Sequence, residues 1–486
     1  MKLITAAPNI TQPFDALFIP VFQEQAFDTW TTTLNKQLNN TLQQAYNLQE
    51  FKGQAGKITS IPGNTSKRII LLGLGKQADY KPEQLIKTFG TATRYARSIK
   101  ATIIGVYTDI FSYQEQLLGR AASQGVYLGN YRYDKYKTQD KENLAVQQTT
   151  ILTNKNLTTG INEGTIVAEA VTLVRELVNT PSMIKIPEYL ATQAKERCKK
   201  TGVSIDIFDK SKIKKLGMNG LLAVNAGSVH EPRFLVMEYK GKNAKKTVAI
   251  VGKGITFDSG GLGIKPGKSM MDMKEDMAGA ATALATITAA AQLKLPIHIY
   301  GITPITENMP GNSAYKPGDI VKAYNGKTME IWHTDAEGRV VLSDALSYAS
   351  TKKPDVIIDL ATLTGAIVVA LGTEYAGVFS NNDLLAQQLI KAGKTVGEQL
   401  WHMPLPETYK ELIKSDYADV KNLGSWDGIA GSITAALFLQ EFVQEGIAWA
   451  HLDIAGTAMS EKEEGHFSKG GTGYGVNLLL EYLRTL

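Results

Sequence analysis

With one cysteine, Cys198, in 486 residues, the chain cannot form an internal disulfide. That excludes a disulfide-stapled scaffold and fits a reducing compartment. Cys198 lies in the charged, helix-like stretch Ala191–Lys200, which has no nucleophile signature, so it is read as structural. No stretch reaches the ~18 consecutive apolar residues that a membrane helix needs. Residues Met1–Ile10 lack the apolar core of a signal peptide, and the expectation is a cytoplasmic protein with no membrane partner. Histidine is scarce, with six in all and no His-Glu-x-x-His pair. Ser259 and Ser343 have no His/Asp partners at a recognisable spacing, which argues against a serine hydrolase. Charge of one sign is scarce too: a net +5 over this length is a weak argument for nucleic acid, and no nucleic-acid partner is expected. The basic cluster Lys240–Lys246 reads as a solvated turn.

What is present is an ordinary globular composition, 43% hydrophobic and 20% charged, too long for one core of usual size. Arg68–Gly75 and Ala101–Tyr107 read as buried strands, with helical spacing over Lys81–Ile99 between them. A polar, turn-rich segment runs over Tyr131–Lys155 and a long amphipathic helix over Glu163–Leu177. Strands follow at Thr247–Lys253, Pro296–Ile302, Asp355–Ala361 and Ile447–Ala455, with an Ala-rich helix over Ala278–Leu295. The expectation is an α/β protein of two domains, divided near residue 160. Residues 1–160 would form a smaller N-terminal α/β domain, and residues 161–486 a larger α/β/α catalytic domain with a mixed, largely parallel central sheet. Ligands of open α/β sheets sit beyond the carboxyl ends of the strands. Those ends carry Lys253–Asp258, Thr362–Gly365 and Ala455–Thr457.

Three short segments there concentrate acids and bases among small residues. Val251–Pro266 places Lys253, Asp258 and Lys265 among glycines, which let backbone approach a ligand closely. Met270–Met277 carries Asp272, Glu275 and Asp276, and Thr334–Arg339 carries Asp335, Glu337 and Arg339. In an extended chain the i, i+2, i+4 spacing of the last three turns them to one side. Carboxylates gathered this way repel unless cations lie between them, and a pair of divalent metals would serve. Each segment alone is compatible with a hydrated charge cluster, and the glycine-rich loop with a phosphate cradle, although it matches no nucleotide-binding pattern.

Taken together the segments strongly resemble the leucine aminopeptidase (cytosol aminopeptidase) family. The resemblance runs from about Val171 to the C-terminus. It rests on Arg175–Pro181, Val251–Gly261, Glu307–Pro310, Pro317–Asp319, Thr334–Arg339, Asp359–Gly365 and Ala430–Ala436. In the N-terminal third it is weak, chiefly Phe51–Gly53 and Leu71–Gly75.

The resemblance implies a metal-dependent aminopeptidase that releases N-terminal, Leu-like or apolar residues from peptides with a free N-terminus. Two divalent ions, Mn²⁺ or Zn²⁺, would be held by Lys253, Asp258, Asp276, Asp335 and Glu337, with Asp258 and Glu337 shared and a metal-held hydroxide attacking. Lys265 would stabilise the oxyanion, and Arg339 would hold a bicarbonate that carries the proton. Met273, Thr362, Leu363, Gly365, Ala455 and Ala458 would bind substrate. A homohexamer of two stacked trimers is implied, with the N-terminal domain serving assembly or active-site access. The sequence departs from the family at His333, where Asn is usual, at Val340, at Ala458 and at Tyr474. Packing beside the metals, not ligation, is expected of His333. Two other readings stand beside this one: a non-catalytic binding or scaffold homologue, which should have lost a ligand, and a two-metal phosphoesterase.

Overall fold

The computed structural model describes residues 1–23, 26–47, 51–139 and 145–486. Part of the polar stretch expected around Asp134, residues 140–144, lies outside them. The chain forms two compact units, one of Met1–Glu169 with Lys462–Ser468, the other of Ala170–Glu461 with Lys469–Leu486. The division falls within one long helix, Thr158–Asn179.

The first unit is built on a six-stranded sheet. In spatial order its strands are Lys2–Ala6, Gln148–Leu152, Ile103–Tyr107, Ala16–Gln23, Arg68–Lys76 and Ile58–Pro62, all parallel except the last. The period-2 alternation of strand side chains divides the core in two. Ala16, Phe18 and Phe22 pack with Leu85, Phe89 and Leu118 of helices Gln84–Ser98 and Glu115–Asn130. Leu17, Ile19 and Val21 pack on the other face with Leu34, Leu38 and Leu42. Strand Gln148–Leu152 falls inside the segment expected to be turn-rich. Its polar residues Thr149 and Thr150 mask a strand buried from Thr149 to Leu152 between two parallel neighbours.

The second unit has a nine-stranded sheet. Its central strands Ala448–Asp453, Val356–Ala361, Thr247–Gly252 and His298–Asn308 run parallel, with Gly254–Asp258 also parallel to the last of these. Antiparallel strands flank them on both sides, so the expected mixed, largely parallel sheet is found. Covered on both faces, these strands read as near-continuous apolar runs. Ala249 and Val251 pack with Val340, Val341 and Leu342 of helix Glu337–Thr351. Gly252 faces the other way, toward helix Ala278–Gln292, so closely that a Cβ on it would stand 2.3 Å from the Gly279 carbonyl oxygen. The small residues of that helix, buried from Ala278 to Ala290, permit the approach. Among the described residues no helix is long and apolar enough to cross a membrane.

Candidate metal centre

Four of the central strands end at one edge, and Lys253, Asp258, Lys265, Asp276, Asp335 and Glu337 gather there, while Asp272 is exposed. Lys253 directly follows strand Thr247–Gly252, and its backbone is tied on both sides: its N–H donates to Leu360 O at 3.0 Å and its carbonyl accepts from Ala280 N at 2.8 Å. Its ammonium lies 2.7 Å from Asp276 Oδ1 and 2.9 Å from Glu337 Oε1, and donates to Thr362 O at 3.0 Å. Thr362 Oγ1 donates to the same Asp276 oxygen at 2.8 Å. Burial works against the Lys253 ammonium, but Asp276, Glu337 and Asp258 outweigh it and hold its pKa above that of an ordinary lysine.

Asp258 ends strand Gly254–Asp258. Its Oδ1 accepts from Gly260 N and Asn308 Nδ2, both at 2.8 Å. Lys265 Nζ bridges Asp258 Oδ2 at 2.9 Å and Asp335 Oδ1 at 2.5 Å. The turn between them needs glycine: Gly260 has φ +87°, and a Cβ there would crowd Gly263 O at 2.4 Å. Thr334 stitches this loop to the Asp335 turn, donating from Oγ1 to Gly260 O at 2.7 Å and accepting from Gly263 N at 2.8 Å. Its own carbonyl accepts from Asn308 Nδ2 at 2.9 Å and from the Tyr315 hydroxyl at 2.7 Å.

The extended geometry expected of Asp335, Glu337 and Arg339 is not what forms. Helix Glu337–Thr351 begins at Glu337, so Asp335 sits in the preceding turn while Glu337 and Arg339 stand in the first helical turn. An acid at that position favours the helix dipole. Arg339 is buried, and one of its terminal nitrogens donates to Asn422 O at 2.8 Å. Burial brings its guanidinium down to about 10, with Glu337 and Asp453 opposing the shift. His333 accepts the Asp335 N–H on Nδ1 at 3.0 Å, which commits that nitrogen to the backbone.

Burial, then Glu337 and Asp258 nearby, raise the Asp335 carboxyl to about 7. Burial raises Asp276 well above the ordinary range even against Lys253. Glu337 is also buried, yet Lys253 and Lys265 together carry it below its ordinary value. The cluster is therefore short of positive charge. Oxygens of Asp258, Asp335 and Glu337 all lie within 4.8 Å of one another. Asp276 Oδ2 and Glu337 Oε2 are buried with no hydrogen-bond partner. Buried carboxylate oxygens are normally satisfied, and a hard or borderline divalent cation is the partner such a donor set suits. The residues present fit metal ions.

The expected substrate residues lie along the same edge. Thr362, Leu363 and Gly365 follow strand Val356–Ala361, Ala455 and Ala458 follow the adjacent strand Ala448–Asp453, and Met273 opens the short 3-10 turn before Asp276. Several supports were not foreseen. Asp453 accepts from Leu363 N at 3.1 Å and from Thr364 Oγ1 at 2.7 Å, shaping the Thr362–Gly365 loop. Its place at a strand's carboxyl end was the available signal. Lys185, fully buried, donates to Lys274 O at 2.5 Å and Val178 O at 3.2 Å, and burial brings its ammonium down to about 7. Asn422 meets the site from a distant loop, and nothing local in the sequence marks it.

Comparison with known proteins agrees with this geometry. Residues 172–480 match the catalytic domain of the cytosol aminopeptidase family and residues 18–140 its N-terminal domain. The chain is 44% identical over 445 residues to the protein named "Probable cytosol aminopeptidase" of Geobacter sp. (strain M21), covering 90% of each. It is 42% identical over 454 residues to the one of that name in Aquifex aeolicus (strain VF5), covering 93% of this chain and 92% of the relative. The fold is shared with a solved mutant of tomato leucine aminopeptidase, at TM-score 0.91 and 35% identity, over 100% of this chain and 97% of that one. It is shared too with the bottromycin maturation enzyme BotP in complex with Mn, at TM-score 0.86 and 33% identity, over 97% and 99% of the two chains. Sequence, fold and site thus agree that this chain belongs to the cytosol aminopeptidase family of metal-dependent hydrolases, which remove residues from the N-terminus of peptides.

Proposed function

We propose that the cluster holds two divalent ions, Mn²⁺ or Zn²⁺, and hydrolyses the first bond of peptides whose first residue is Leu-like or otherwise apolar. Lys253, as a neutral amine whose proton the charge of the incoming ions would displace, would hold one ion with Asp258, Asp276 and Glu337, and Asp258, Asp335 and Glu337 would hold the other. The observation that carries this is the set of crowded carboxylate oxygens, two of them buried and unpartnered, at the carboxyl edge of the sheet. Bound there, the ions would polarise the scissile carbonyl and acidify a water.

The chain's own residues supply the rest. Lys265, paired with Asp258 and Asp335, would donate to the oxygen on which charge develops. Arg339 Nε is buried without a hydrogen-bond partner, which suits it to hold bicarbonate as a proton carrier. Thr362, Leu363 and Gly365 would bind the substrate main chain, and Met273, Ala455 and Ala458 would line the side-chain pocket. In this reading residues 161–486 form the catalytic domain, and residues 1–160 serve assembly or access within a cytoplasmic homohexamer. A non-catalytic homologue should lack a ligand, and all five residues are here.

The test is hydrolysis by purified protein with added Mn²⁺. Leu-p-nitroanilide should be cleaved, while N-acetyl-Leu-p-nitroanilide and a phosphate ester should not, and chelation should abolish turnover. Equal activity on the blocked substrate would overturn the aminopeptidase reading, and turnover indifferent to chelator would overturn the mechanism.

A further inference from the structure

We infer that Trp426 and His333 form an aromatic shelf for the substrate side chain on the far side of the scissile bond, selecting an aromatic or other large apolar residue there. This rests on the proposed function above. It goes beyond that function by assigning a second specificity determinant.

Trp426 is 65% exposed, an unusual placement for the largest apolar side chain unless the surface is used. The ring is not loose. It stacks on Trp332 with centroids 6.2 Å apart and planes 21° apart, and it meets His333 edge-on at 5.6 Å. Lys421 Nζ lies 3.7 Å from the Trp332 ring centre, a cation–π contact that fixes the lower ring. Asn422 Oδ1 accepts from the backbone N–H of both Trp332, at 2.7 Å, and His333, at 3.2 Å. The shelf is thus anchored by its backbone while its outermost ring stays open.

The contacts also say which part of a peptide it would meet. Contacts lead from one end of the site to the other. Thr362 and Asp276 meet at Lys253, Lys253 meets Glu337, a Glu337 oxygen lies within 4.8 Å of oxygens of Asp258 and Asp335, Lys265 joins those two, and the Asp335 N–H is bonded to His333. The pocket for the first side chain lies at the Thr362 end. His333 and Trp426 lie at the other, so a peptide whose scissile carbonyl rests among the acids continues toward them. Successive residues span about 3.5 Å, so the next side chain comes into reach.

His333 suits this role. With Nδ1 accepting from Asp335 N, the neutral ring carries its proton on Nε2 and has that donor left for the substrate backbone. Gly263 makes room for the ring, since a Cβ there would stand 2.8 Å from His333 Cε1.

The experiment compares kcat/KM for Leu-Gly, Leu-Ala, Leu-Phe and Leu-Trp in the Mn²⁺-loaded full chain and in Trp426→Ala and Trp426→Phe. Wild type should favour Leu-Phe and Leu-Trp over Leu-Gly. In Trp426→Ala that ratio should fall by about tenfold, chiefly through KM, as expected for loss of one aromatic contact and its buried area. Trp426→Phe should retain most of it. A ratio unchanged in Trp426→Ala while the dipeptides are still cleaved would overturn the shelf alone. A wild-type enzyme that cleaves none of them would overturn the aminopeptidase reading, and the shelf with it.

Discussion

A Cβ on Gly338 would stand 2.7 Å from Lys253 Nζ and 2.6 Å from its Cε. The glycine of the Asp-Ala-Glu-Gly-Arg motif is therefore where the lysine lies. In an ordinary helix Gly→Ala gains up to about 1 kcal/mol. Here Lys253 cannot swing aside, because Asp276, Glu337 and Thr362 hold its amine. Gly338→Ala should fold yet lose activity by about a hundredfold, the scale of an ångström's misplacement of a reacting group. Metal content and kcat/KM on Leu-p-nitroanilide check it; a fully active variant would mean that Lys253 does not act where it stands.

In the proposed assignment Asp335 serves one ion only, and Asp335→Asn removes that carboxylate. After dialysis the variant should retain one fewer divalent ion per chain than wild type, and kcat/KM should drop by about a hundredfold or more. Elemental analysis gives the count. Two tightly held ions in an active Asp335→Asn protein would show the ligand assignment to be wrong.

Asp344 should make stability depend on pH, away from the candidate metal centre. Fully buried in helix Glu337–Thr351, it accepts from Leu221 N at 2.9 Å and Tyr324 N at 2.8 Å. Burial nevertheless raises its carboxyl from 3.8 to about 7. Between those values the folded protein keeps a proton that the unfolded chain releases. Stability should therefore fall as pH rises through that window, by about 1.4 kcal/mol per unit for this one group, and level off above it. Urea titrations across the window should show a shallower slope in Asp344→Asn.

Asp359 and His451 are paired at 2.6 Å inside the sheet, both fully buried, with Trp449 Nε1 donating to the second Asp359 oxygen at 2.7 Å. Burial opposes the imidazolium, but Asp359 holds the His451 pKa above its ordinary 6.5. That stabilisation is complete below about 6.5 and lost as pH rises through the higher folded value. Asp359→Ala strands two buried donors and should cost about 3–5 kcal/mol at pH 6 and less at pH 9. Equal losses at both pH values would mean that His451 is neutral throughout.

Much of the catalytic unit was legible because its strands are covered on both faces. Thr247–Gly252 and Val356–Ala361 read as apolar runs, and their carboxyl ends pointed to Lys253 and Thr362. The acids were legible only as motifs joined by resemblance. The helix start at Glu337 was missed because Ala336 precedes it with no capping side chain, so the usual polar signal is absent. Asn422 and Asp453 were invisible for another reason. They reach the site from 80 residues or more along the chain, through loop geometry and strand order that no local pattern encodes. The Asp359–His451 pair needed the parallel register that sets them side by side.

Lys253 and Lys265 sit among Asp258, Asp276, Asp335 and Glu337 and bond to all four. The chain thus brings its own counterions to the place where its acids converge. A small zinc domain cannot collapse until its ion arrives. Here lysines already stand among the acids before any ion arrives, so the expected order is folding first and metal uptake afterwards, with the choice of ion left to supply and exchange.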